Sequence, residues 1–117
     1  MAEKEANSQL LQGVLEATKQ GKLRWEATET ADAYRSTIED TSIVASKKSR
    51  PSAIIYSFSM RDSAGNELVG ESARKSSYSG RTDADFEMLE DLYERARRSA
   101  FDVDSKVNRV LQILKQG

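Results

Sequence analysis

The sequence predicts an α+β domain: an N-terminal helix, an antiparallel meander sheet of four to five strands, and two C-terminal helices packed on one face. Three observations predict it. Apolar residues recur at helical spacing before Gly21 and again after Thr82. Between those two regions the apolar period changes to two. The strand-like runs are separated by short polar turns, a spacing that joins neighbouring strands antiparallel.

Each element has its own signal. Asn7 or Ser8 is placed to cap the first helix, which leaves residues 1–6 outside it and expected to be disordered. Leu10, Leu11, Val14, Leu15 and Thr18 then form one narrow apolar stripe, and Gly21 stands where a helix stops in the left-handed conformation. A helix this short needs a partner for that stripe. Leu23, Trp25 and Ala27 alternate with Arg24 and Glu26, as in a half-buried strand. After a polar turn over 28–32, Tyr34, Ser36 and Ile38 alternate with Arg35 and Thr37 as a second strand. Glu39-Asp40 is a turn, and Ser42 to Ser46 a short third strand around Ile43 and Val44.

Lys47 to Ser52 contains the only proline and reads as a loop. The strongest strand follows. Ile54, Tyr56, Phe58 and Met60 share one face and Ile55, Ser57 and Ser59 the other, which marks the centre of the sheet. Asp62 to Asn66 is a hairpin loop in which Gly65 or Asn66 takes positive φ, and Glu67 to Glu71 is the returning strand. The polar, serine-rich segment 72–82 reads as a loop or a weak edge strand. Thr82 or Asp83 is placed to cap a second helix with Phe86, Leu89, Leu92, Tyr93 and Ala96 on its apolar face. Carboxylates at its start and arginines at its end complement the helix dipole. Phe101 to Asp104 forms a corner in which an aspartate caps a third helix, whose stripe is Val107, Val110, Leu111 and Leu114.

The 117 residues are expected to form one domain spanning 1–117, large enough for a core without staples. With 38% hydrophobic and 32% charged residues, the surface must be densely charged. There is no histidine and no cysteine, so disulfides, thiolate metal sites and histidine-based catalysis are excluded. The N-terminus lacks the apolar run of a signal peptide, and no apolar run approaches the ~20 residues of a spanning helix. A cytoplasmic protein without membrane contact is expected. The net charge of −1 is unevenly distributed. Residues 1–46 carry 5 basic and 8 acidic side chains, 47–81 carry 7 and 3, and 82–117 carry 6 and 8.

The basic middle is the first candidate site. Lys47, Lys48 and Arg50, with Arg74, Lys75 and Arg81, would form one positive patch for phosphates if their segments met, and Tyr78 would add a stacking platform. The plainer reading is solvated basic segments that keep strand edges soluble. The helix–strands–helix order is shared with double-stranded RNA-binding domains, but those carry a basic N-terminus on their last helix, where this chain has Asp83, Asp85 and Glu87. Trp25, the sole tryptophan, is either core or the anchor of a protein interface. Glu87, Glu90, Asp91 and Glu94 fall at helical spacing, but without a histidine or a calcium-loop glycine they read as a solvated acidic flank.

No nucleophile elbow and no phosphate-binding glycine loop is present, and no histidine exists to activate a serine. No catalytic residue, cofactor or metal site is therefore assigned. The expectation is a non-enzymatic protein-interaction module of adaptor, inhibitor or immunity type, with bacterial or phage character. It would bind through the exposed side of the sheet or through 72–82. A nucleic-acid-binding module using 47–81 is the alternative, and a carboxylate-based enzyme a lesser one. The third helix either caps the core or meets a second copy of the chain, forming a homodimer.

Overall fold

The computed structural model describes residues 2–76 and 85–116. The architecture is the expected one: an N-terminal helix, a five-stranded antiparallel meander and two C-terminal helices. The elements are α1 (Ala2–Lys19), β1 (Glu26–Ala27), β2 (Ala33–Ile38), β3 (Thr41–Arg50), β4 (Ala53–Arg61), β5 (Glu67–Ser76), α2 (Phe86–Ala100) and α3 (Val103–Gln116). Each strand pairs with its sequence neighbour, in the order β1-β2-β3-β4-β5.

Several boundaries differ from expectation. α1 begins at Ala2, ahead of the expected cap at Asn7 or Ser8; Ala-Glu-Lys-Glu-Ala is a run of good helix formers. The first strand is only Glu26–Ala27. The backbone N–H of Trp25 donates instead to Ser99 Oγ of α2 (3.0 Å), which takes it out of the ladder. The expected loop 47–52 is mostly strand: β3 continues through Arg50, and Pro51-Ser52 alone turns the chain into β4. Lys47 to Arg50 have extended partners in Ala53 to Tyr56, and pairing satisfies backbone groups that a loop would leave to water. Likewise β5 runs five residues past Glu71, so 72–76 is the edge strand rather than a loop. Thr82 and Asp83, the expected caps of α2, lie outside the described residues.

Turn chemistry places the strands. Gly21 (φ 75°) ends α1 in the left-handed region, where only glycine is free of a Cβ clash. In the β4–β5 loop Gly65 has φ 87°. Asp62 there accepts from the backbone N–H groups of Ala64 (3.0 Å) and Asn66 (2.9 Å). The hydrogen bonds from Asn66, followed by those from Ala64 and Gly65, hold the Asp62 carboxyl below its usual range.

The core lies on one face of the sheet. Tyr34, Ile43, Ala45, Tyr56, Phe58 and Ala73 point into it from the strands, met by Leu11, Val14 and Leu15 of α1 and by Phe86, Leu89, Leu92, Tyr93 and Ala96 of α2. α2 runs against all five strands and packs on α1. Tyr56 meets Phe86 edge to face and Tyr93 at a tilt, with ring centroids 5.2 and 5.4 Å apart. α3 leaves this layer. Phe101 ends α2 and Asp102 (φ 53°) turns the chain; α3 then packs against α2, and its residues 105–116 are exposed. The radius of gyration, 16.0 Å, exceeds the roughly 13 Å of a compact chain this long, because the long strands and the projecting helix stretch the body.

Candidate binding surfaces

Strand alternation divides the basic middle between the two faces of the sheet. Lys47 stands opposite Tyr56 and Lys75 opposite Ile54, so both lie on the helix side. There the Lys47 ammonium sits 5.8 Å from the Tyr56 ring centre. Lys48 and Arg74 flank Ile55, and Arg50 stands opposite Ala53, all on the open side. The single patch expected from Lys47, Lys48, Arg50, Arg74 and Lys75 therefore does not form, because consecutive strand residues point to opposite faces. Tyr78 and Arg81 lie outside the described residues.

The open face has a different composition. Along β3 its positions are Ser42, Val44, Ser46, Lys48 and Arg50; along β4 they are Ala53, Ile55, Ser57, Ser59 and Arg61. β5 adds Gly70, Ser72, Arg74 and Ser76, and β2 adds Ala33, Arg35 and Thr37. Ser46, Ser57 and Ser72 form one row across three strands. The next row toward the Pro51 turn is Lys48, Ile55 and Arg74, while Arg61 lies toward the opposite end. These positions hold the cations Arg35, Lys48, Arg50, Arg61 and Arg74, and Glu67 of β5 stands opposite Arg61. Glu26 on the short β1 pairs with Arg35 at 2.9 Å, and the Glu67 side chain covers Gly70 at the other edge. The face forms an open hollow of about 1020 Å³, bounded on one side by residues 28–31. Sequence reading missed this set because Arg35 and Arg61 lie far from the basic runs. The available signal was the shared two-residue phase of serine and cation in β3, β4 and β5.

Trp25 is not displayed to a partner. At 4% exposure it belongs to the core, and its indole Nε1–H donates to Thr18 Oγ1 (3.2 Å). A hollow of about 760 Å³ beside it lies between the end of α1 and the α2–α3 corner, lined by Lys19, Arg24, Arg95 and Asp102. The acidic flank of α2 is used internally. Asp91 pairs with Arg95 (2.8 Å) and Lys19 (3.9 Å), while Glu90 and Glu94 act on the Tyr56 phenol. Burial first, then the charges of Glu90 and Glu94, pushes the Tyr56 phenol up to about 12. The Tyr93 phenol is raised by burial and by its neighbours Tyr34 and Asp32, the latter 3.2 Å away. Among the described residues no three carboxylates are grouped to hold a metal ion, and no helix is long and apolar enough to cross a membrane.

The third surface is α3. Val107, Val110, Leu111, Ile113 and Leu114 are 48%, 55%, 48%, 58% and 70% exposed. With Val103 they occupy one face of the helix, and Val103, Val107, Val110 and Leu114 follow the alternating four- and three-residue steps of a coiled-coil seam. Phe101, 43% exposed, extends the patch to the corner. No protein-family model matches this chain, and no curated protein or solved structure is similar to it.

Proposed function

We propose that this chain is a non-enzymatic protein-interaction module that associates through α3, with a second copy of itself as the partner. One observation carries the reading: five large apolar side chains, 48% to 70% exposed, lie side by side on a helix that leaves the core. Scattered apolar residues are normal on a surface, but a contiguous stripe marks a contact site. The heptad spacing of Val103, Val107, Val110 and Leu114 suits another helix better than a flat surface. An antiparallel pairing places the two sheet domains at opposite ends of the helix pair and opposes the helix dipoles. Half-burial of ten such side chains is worth ~10 kcal/mol gross. Association costs from the low end of about 4–15 kcal/mol leave a surplus of roughly 4–6 kcal/mol, a weak, reversible dimer that forms at tens of micromolar and above.

The test is solution mass as a function of concentration. The expected result is a monomer at low micromolar and a dimer at higher concentration, with Leu111→Asp monomeric throughout. Because Leu111 is already exposed, that variant keeps the thermal stability of the monomer. A parent chain that stays monomeric to millimolar concentration overturns the reading.

A further inference from the structure

The α2–α3 corner carries an inference that rests on the α3 pairing proposed above and names the seat each copy offers the other. Phe101 ends α2 with its ring 43% exposed. That ring is fixed edge-on against Tyr34, with centroids 5.8 Å apart, and the Arg97 guanidinium lies 5.6 Å from its centre. Asp102 follows in the left-handed region, and Val103 opens α3. Asp102 and Val103 both line the hollow of about 760 Å³ beside Trp25. The cations of that hollow do not claim Asp102. Lys19 and Arg95 pair with Asp91, and among the described residues no cation stands within ion-pairing distance of Asp102. At the other end of α3, Leu114 is the most exposed apolar side chain of the stripe, at 70%. Lys115 beside it is exposed and has no ion-pair partner among the described residues.

We infer that this corner is the seat for the last turn of a second copy's α3, in an antiparallel pair of fixed register. In an antiparallel seam the two heptad core positions of one helix alternate against those of the other. The register that sets Val107 against the partner's Val110 also sets Val103 against the partner's Leu114. It brings Asp102 level with the partner's Lys115, and the two-fold axis repeats each contact. The partner's last turn then closes the hollow over Val103, beside the exposed Phe101 ring. A parallel pair sets Asp102 beside Asp102 and Lys115 beside Lys115, so like charges meet at both ends. Exposed ion pairs add little strength, so here they select orientation while the apolar seam supplies the affinity.

The chain has no cysteine, so disulfide trapping in the full chain reads the register directly. Val103→Cys and Leu114→Cys are made as separate variants and oxidised mildly, each alone and then mixed, at concentrations where the parent is dimeric. Gln112→Cys, exposed and away from the stripe, gives the collisional background. In the inferred register the two copies of residue 114 lie about 16 Å apart along the seam. A disulfide spans no more than about 7 Å between Cα atoms, so the mixture is expected to form its covalent heterodimer about tenfold faster than either variant alone cross-links. Val107→Cys mixed with Val110→Cys reports the same register from the middle of the seam, where Leu114 is intact. Cross-linking of Leu114→Cys alone as fast as the mixture overturns the inference in favour of a parallel pair and leaves the α3 dimer standing. Background cross-linking in every sample, from a parent that is dimeric by solution mass, places the contact off α3 and overturns both readings. A parent that stays monomeric also overturns both.

Discussion

Trp25 joins three parts of the fold through one residue. Its ring is buried, its indole N–H donates to Thr18 of α1, and its backbone N–H donates to Ser99 of α2. Thr18 in turn donates to the Val14 carbonyl (2.8 Å), so one hydroxyl both accepts from the indole and closes onto its own helix. Trp25→Ala removes a large buried ring together with the indole donor, and is expected to cost about 3–5 kcal/mol in urea unfolding at neutral pH. Ser99→Ala, which removes the acceptor for a part-buried N–H, is expected to cost about 1 kcal/mol. Tyr56 sets a pH limit. Its folded pKa of about 12 lies above the ordinary 10.0, so only the unfolded chain ionises it between those values. Stability is therefore intact below pH 10 and falls as pH rises to about 12, a window that Tyr93 reinforces in the same direction. Urea midpoints measured across that range are expected to fall with pH, and to fall less steeply in Tyr56→Phe.

Among the elements, α2 was the easiest to read and β3 the hardest. Every residue expected on the apolar face of α2 is buried, because five apolar residues at helical spacing leave no other face to bury. The α1 stripe was equally plain, and Gly21 ends that helix with φ 75°. Gly21→Ala is expected to cost about 1 kcal/mol, since a Cβ is penalised in the left-handed region although space around it is open. β3 and β5 ran longer than expected because Lys47–Arg50 and Ser72–Ser76 have weak strand propensity. Their pairing with β4 is a tertiary gain that local propensity does not register. α3 shows the converse limit. Its amphipathic stripe was clear, but periodicity names a face without naming what covers it.

At the scale of the whole molecule, charge segregates by face more than by sequence block. The block 47–81 is basic in sequence, yet its cations divide: Lys47 and Lys75 join the helix side while Lys48, Arg50, Arg61 and Arg74 share the open side. Raising salt is expected to leave the apolar α3 dimer intact or strengthen it, which solution mass measured across a salt series checks.

The sequence by itself determined the class and order of elements, the core faces of α1, β4 and α2, and the absence of histidine and thiol chemistry. These follow from local periodicity and composition, which each segment carries within itself. Tertiary structure decided which cations become neighbours, that Trp25 lies inside, and that α3 stands away from the sheet. Those outcomes depend on strand register and on which surfaces remain once the core is filled. A one-residue change of register would exchange Lys48 for Lys47 on the open face.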